Sequence, residues 1–200
     1  MKKSVNEVVV IGGGAAGMFA AITAAQNGKS VLLLEKNDRP GKKLAITGKG
    51  RCNVTNNASV DEVLRSIPRN GRFLFSCLHG FSPADTMAFF EAAGCPLKTE
   101  RGNRVFPASD RAADIIAALE RTLQRLGVSR RREAALEILT KDGAAAAVKT
   151  ANGLISAQSV ILCTGGLSYP ATGSTGDGYR MAQQLGHTIV PPSGSLVPLE

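Results

Sequence analysis

The sequence predicts an α/β domain, a parallel sheet flanked by helices and interrupted by a β-meander, and three observations predict it. First, the apolar run Val8-Val9-Val10-Ile11 leads into Gly12-Gly13-Gly14-Ala15-Ala16-Gly17 and then into the helical stretch Met18 to Ala25. Second, another apolar run, Ser30 to Leu34, ends in Glu35, about 20 residues past the glycines, the spacing of a dinucleotide-binding βαβ unit. Third, Asp142-Gly143 and Asn152-Gly153 cut the stretch from Leu136 to Ser156 into three short strands, and both dipeptides are strong hairpin signals.

The first strand and its glycine turn carry the chemistry. Gly12 permits the tight turn out of the strand, Gly14 lets backbone approach a pyrophosphate, and Gly17 lets the helix pack close to the sheet. The helix N-terminus, through Ala15 and Ala16, aims unpaired N–H groups and a partial positive charge at phosphates. Glu35 is placed to accept a hydrogen bond from a ribose hydroxyl. The plainer alternative is an ordinary Gly-rich turn with Glu35 solvated at a strand end.

Composition narrows the class. The chain has 200 residues, 44% hydrophobic and 20% charged, enough for a packed core. No apolar run reaches bilayer-spanning length, and Met1-Lys2-Lys3 leads into the first strand with no signal-like segment, so a cytoplasmic protein off the membrane is expected. The four cysteines lack metal-ligand spacing; reduced thiols and no metal are expected. The net charge of +8 suits a ligand with several phosphates or a nucleic acid, although 4% aromatics offers no stacking platform for single strands. Nothing here fixes an oligomeric state.

Lys36 to Asn56 lacks periodicity and reads as one long loop, with six basic residues up to Arg51 against the single acid Asp38. Leaving the strand that ends in Glu35, it would pass over the crevice of the glycine turn, its glycines exposing N–H groups and its cations meeting phosphate oxygens. Beyond it, Ser59-Val60-Asp61-Glu62 is a capping box for a helix stopped by Pro68, and Arg72 to Gly80 is apolar-rich. Ser82 and Pro83 open another helix, which runs to Gly94. Two short strands join around Gly102-Asn103 between Pro96 and Val105. Asp110 then caps an amphipathic helix from Arg111 to Leu126, which Gly127 ends. Arg130-Arg131-Arg132 follows on a sheet edge, a solvated run or an RNA contact. After the meander, Ser159 to Cys163 is a buried parallel strand that ends in Thr164-Gly165-Gly166. Gly173 to Tyr179 opens a last helix, and Ser193 to Pro198 reads as a linker.

Four pieces in order, VVVIGGGAAGMFAA, GKKLAITGKGRCNVTN, RVFPASDRAADI and ILCTGGLSYPATGSTGDGY, resemble the BaiN/RdsA-type family of FAD-dependent oxidoreductases. The resemblance implies a Rossmann-like FAD-binding domain of glutathione-reductase type with a β-meander crossover, incomplete at its C-terminus. Residues 1–190 would be its N-terminal part, and 191–200 a linker or the start of an inserted substrate domain. It implies FAD as cofactor and NAD(P)H as electron donor. The substrate would be an electron-poor C=C bond in a small, steroid-like molecule, with a ribosomal RNA uridine, or a non-catalytic nucleotide- or RNA-binding role, as alternatives.

The candidate cofactor contacts are Gly12, Gly14, Ala15, Ala16, Gly17 and Glu35 in the first unit. In the loop they are Lys36, Lys42, Lys43, Thr47, Gly48, Gly50, Arg51, Cys52 and Asn53. Ala135 would meet the adenine through its backbone, and Thr164, Gly165 and Gly166 close the set. No general acid stands out; Tyr169, Asp177 and Cys52 lie in motifs at the crevice and carry transferable protons.

Overall fold

The computed structural model describes residues 6–194. One six-stranded sheet organises it. β1 (Asn6–Ile11) lies between β2 (Val31–Glu35) and β9 (Gly153–Leu162), parallel to both. β6 (Ser129–Arg132) adds a parallel edge strand beside β2. On the other side β8 (Ala144–Thr150) and β7 (Ala135–Lys141) continue from β9 as antiparallel strands, giving the order β6-β2-β1-β9-β8-β7.

Alternation along the strands divides the core into two layers. Val8 and Val10 of β1, with Val31 and Leu33 of β2, face α1 (Ala15–Gln26) and α6 (Ala112–Arg125), where they meet Met18, Ala21, Ile22, Ile115 and Leu119. Val9 and Ile11, with Leu32 and Leu34, face the opposite way. They meet Ile138, Val148 and Ile155 of the meander and Met181 of α7 (Asp177–Gln184). Each fully buried aliphatic side chain contributes about 1.5–3 kcal/mol. α6 is the crossover helix that returns the chain to the edge strand β6.

Between β2 and α6 in the chain come further elements. α3 (Val60–Arg65) and α5 (Pro83–Ala92) start at Ser59 and Ser82, and both serines form complete capping boxes, with Glu62 and with Asp85. α4 (Phe75–Gly80) sits between them. β3 (Thr55–Asn56), β5 (Arg104–Pro107) and β4 (Leu97–Glu100) make a three-stranded antiparallel sheet.

Three expectations are corrected. The stretch from Lys36 to Asn56 is not one structureless loop: it holds α2 (Lys42–Ile46), a tight turn over 47–50 and the strand β3. Asp110 does not cap α6; Arg111 occupies that position without a side-chain cap, while Asp110 takes a left-handed φ of 57° and turns to Arg51 and Lys98. Finally, the last meander strand and the parallel strand before Thr164 are one strand. In β9, Gly153 to Ser156 pairs with β8, and the rest, to Leu162, pairs with β1. Part of the 191–200 segment lies outside the described residues, as does Met1-Lys2-Lys3.

Candidate functional site

The site is a crevice of about 720 Å³ at the C-terminal ends of β1, β2 and β9, within the range of small-molecule and cofactor pockets. Ligands of open α/β sheets bind at this edge. Its floor is the glycine turn. At Gly12 φ is +107°, and a Cβ would lie 2.3 Å from the Cys163 carbonyl oxygen. At Gly17 a Cβ would lie 1.7 Å from the Gly12 carbonyl oxygen, so helix and strand touch backbone to backbone. Gly14 differs: it lines the crevice, yet a Cβ there would meet no protein atom within 4 Å. The room above Gly14 opens toward a ligand. α1 begins at this residue with no side-chain cap and no acid in its first turn, so the first-turn N–H groups remain available to an anion.

Glu35 is 8% exposed, not a solvated strand end. Its carboxylate accepts from the Gly13 N–H at 2.7 Å and from the Asn37 N–H at 2.7 Å, one bond per oxygen. Each oxygen keeps a lone pair for a ligand hydroxyl. The backbone of Glu133 donates to the Glu35 carbonyl at 3.0 Å, which brings the β6–β7 junction, with Glu133 and Ala135, to the same end of the crevice. The Glu133 carboxylate accepts from Asn152 Nδ2 through Oε1, while its Oε2 is buried without a hydrogen-bond partner.

The opposite wall comes from the segment after β9 and from α2. Thr164 and Gly165 line it, with Gly41, Lys42, Lys43, Leu44 and Thr47 across from them. Gly41 donates to the Gly13 carbonyl at 2.9 Å, tying the loop to the glycine turn. The lysines already hold protein partners. Lys36 reaches Asp177 at 2.6 Å and Thr175 at 2.7 Å, Lys42 pairs with Asp38, and Lys43 donates to Ser168. These contacts strap residues 168–177 to the strand-end loops.

The remaining candidates are placed elsewhere. Gly48, Gly50, Arg51, Cys52 and Asn53 do not line the crevice, contrary to the expected passage of their loop across it, and neither does Gly166. Gly48 packs on Asn53 and Phe106, and Gly50 faces open space beyond the Ala45 carbonyl. Arg51 lies over the Phe106 ring, 4.0 Å from its centroid, and bonds both oxygens of Glu100 and one of Asp110. An ion network on the small sheet has drawn it away. Asn53 offers its side-chain amide to the Thr55 and Val105 carbonyls, in β3 and β5.

As proton donors the three candidates differ. Cys52 is 1% exposed in the core, and burial pushes its thiol above the ordinary range. Tyr169 is 67% exposed beside a shallow second pocket with Arg39 and Ile46. Asp177 does line the crevice, but its hydrogen bond from Lys36 holds its carboxyl below the usual range, so it stays ionised at neutral pH. Tyr179 and Glu133 also line the crevice; Tyr179 ends the fourth family-like piece but is not among the expected contacts, and Glu133 belongs to no motif. Among the described residues no helix is long and apolar enough to cross a membrane.

Known proteins resemble this chain over nearly all its length. It is 34% identical to the 3-dehydro-bile acid delta(4,6)-reductase of Clostridium scindens over 98% of the chain and 47% of that protein. It is 30% identical to the ribosomal RNA dihydrouridine synthase of Escherichia coli over 96% of the chain and 47% of that protein. The chain thus spans about half the length of these curated relatives. Among solved structures, the 3-ketosteroid-delta4-(5alpha)-dehydrogenase of Rhodococcus jostii superposes with a TM-score of 0.69 at 17% identity, over 92% of this chain and 54% of that one. With the glycine turn, the parallel sheet and the meander in place, and with residues 6–199 matched by the family described as the HI0933-like protein Rossmann domain, the chain belongs to that family.

Proposed function

We propose that this chain is the nucleotide-binding part of a flavin-dependent oxidoreductase that reduces an electron-poor C=C bond in a small, steroid-like molecule, with NAD(P)H as electron donor. The observation that carries the reading is the open Gly14 at the N-terminus of α1, facing a crevice in which the Glu35 carboxylate sits beside the same glycine turn. That arrangement fits FAD: unpaired N–H donors for a pyrophosphate, a buried carboxylate for a ribose, and the β6–β7 junction beside it. When bound, FAD supplies two-electron redox chemistry. The chain's own residues bind and orient. Gly14 and the first turn of α1 hold phosphate, Glu35 fixes the ribose, and Thr164 and Gly165 form the wall past the glycine turn. The relatives support the substrate class, one being a bile-acid reductase.

The test is direct. The purified chain is saturated with FAD, its absorbance is recorded, and the bound compound is released by denaturation and identified. A flavin spectrum, with FAD recovered, is the expected result. A chain that binds neither FAD nor ADP overturns the reading. A second reading, reduction of uridine in ribosomal RNA, draws on the +8 charge and the arginine run of β6, and on the dihydrouridine synthase among the relatives.

A further inference from the structure

We propose that residues 65–81 form a peripheral docking surface for an anionic phospholipid bilayer, with Phe73, Leu74 and Phe75 entering the headgroup boundary and Arg65, Arg69 and Arg72 meeting lipid phosphates. The inference goes beyond the cofactor reading and does not depend on it.

Phe73 is 84% exposed, Phe75 52% and Phe81 45%, and Leu74 is exposed between them. Single exposed apolar side chains are ordinary, but a run of them marks a surface that meets something apolar. The run sits on a built segment. Asn70, at a left-handed φ of 56°, opens the turn Gly71–Leu74, and the Phe73 N–H donates to the Asn70 carbonyl at 2.9 Å. A Cβ at Gly71 would stand 2.9 Å from the Leu64 carbonyl oxygen, so the segment lies directly on α3. α4 continues it from Phe75, whose ring stacks on His79 with centroids 4.1 Å apart.

Charge picks the occupant. Between Glu62 and Asp85 the chain has no acid, while Arg65, Arg69 and Arg72 are all exposed. The two bounding acids are turned back onto their own helix caps at Ser59 and Ser82. None of the three arginines joins an ion pair among the described residues. An acid-free surface of arginines and aromatic rings suits an anionic bilayer: the phosphates take the guanidinium groups, the boundary takes the rings, and the arginine stems lie along the apolar surface. A second copy fits less well, because a two-fold contact would set the arginines against themselves. Single-stranded RNA fits less well too. Bases stack on free ring faces, whereas His79 covers a face of Phe75, Phe81 leans edgewise on Phe19 at 5.6 Å, and Leu74 has no such face. Docking of this kind requires no spanning helix. It departs from the expectation of a chain off the membrane, which weighed only spanning length and a leader segment.

The parent has no tryptophan, so Phe73→Trp puts a single fluorescent reporter in the surface, and Val190→Trp puts one at an 81% exposed site outside it. Each is mixed with vesicles of phosphatidylcholine alone and of phosphatidylcholine with phosphatidylglycerol. The Phe73→Trp emission should shift to the blue on the anionic vesicles only, and the Val190→Trp emission should not move. Cosedimentation then measures partitioning without the reporter. Arg69→Gln with Arg72→Gln should weaken the parent's partitioning into anionic vesicles about 25-fold, about fivefold per charge. Phe73→Ser with Phe75→Ser should weaken it more than about tenfold. Thermal melts of both double variants should match the parent, since the side chains removed are exposed. A parent that stays in solution beside anionic vesicles, or that partitions as its variants do, overturns the inference. So does a Phe73→Trp emission already blue without lipid, which shows the face covered by protein, with a second copy identified by dependence on protein concentration. A response to a ribosomal RNA fragment with none to vesicles makes the face an RNA surface and overturns it as well.

Discussion

Gly14 and Gly17 sit in one turn and face different things. A side chain at Gly14 would meet no protein atom within 4 Å, whereas at Gly17 it would drive into the Gly12 carbonyl. Gly14→Val should therefore melt within a few degrees of the parent yet lose ADP and FAD binding, because a branched side chain fills the space that a pyrophosphate needs. Gly17→Val should cost on the order of 3 kcal/mol or fail to fold, since helix and strand must separate. Circular-dichroism melts and ligand titration of the two variants check this; equal melting points would show that the turn is not packed as described. Glu35 combines both roles. Its carboxylate holds the Gly13 and Asn37 N–H groups, so Glu35→Gln, which leaves a single acceptor oxygen, should lower stability by about 1–3 kcal/mol as well as weaken ligand binding. A loss of affinity with no loss of stability would mean that the backbone contacts are dispensable. The glycines and Glu35 were legible because dinucleotide sites use them at fixed spacing. The place of Glu133 on the crevice wall was not, since a lone glutamate between β6 and β7 carries no local signal.

At the scale of elements, the two serine caps and both hairpin turns could be read from residues three or fewer apart, and the structure has them in place. The Lys36 to Asn56 segment misled for the opposite reason. Its glycines and cations suggested one long loop over the crevice, but its order comes from distant partners: Arg51 and Lys98 clasp Glu100 and Asp110, and Phe106 supplies the platform. No local pattern encodes a contact across 49 or 59 residues. This network carries a pH signature. The hydrogen bond from Arg51 holds the Glu100 carboxyl below its ordinary value, and the bond from Lys98 does the same for Asp110. Both are lower in the folded than in the unfolded chain. Their contribution is complete above the ordinary carboxylate range, about pH 4, and is lost as pH falls through the lowered values. The parent should thus lose more thermal stability than Arg51→Gln on going from about pH 5 to about pH 3. Parallel melting curves for the two proteins across that window would remove the network as a stabilising element. The substitution should leave ADP affinity largely intact, because Arg51 lies outside the crevice lining.

Over the whole molecule, the charge decides between the two substrate classes. The chain carries +8, and β6 places Arg130, Arg131 and Arg132 on the exposed edge of the sheet. Arg130 is engaged with Glu120 on α6, whereas Arg131 and Arg132 make no side-chain ion pair or hydrogen bond among the described residues. An edge of three arginines that neutralises about three phosphates would release about as many counterions, so RNA binding there should weaken about 20- to 40-fold between 50 and 200 mM salt. Removing two of those contacts, in Arg131→Ala with Arg132→Ala, should lower the slope of log affinity against log salt by about 1.4–1.8. Neither change touches the crevice lining, so ADP affinity should be the same in parent and double variant. A small steroid-like enone releases no counterions on binding, and its apolar burial strengthens slightly with salt, so its apparent affinity should stay nearly flat over the same range. Titrating a ribosomal RNA fragment and the enone against FAD-loaded protein at several salt concentrations separates the classes. Salt-steep RNA binding that the double variant abolishes would move the substrate assignment to RNA. Weak RNA binding that persists in the double variant, beside flat enone binding, leaves the small-molecule reading in place and makes the arginine edge a solvated surface.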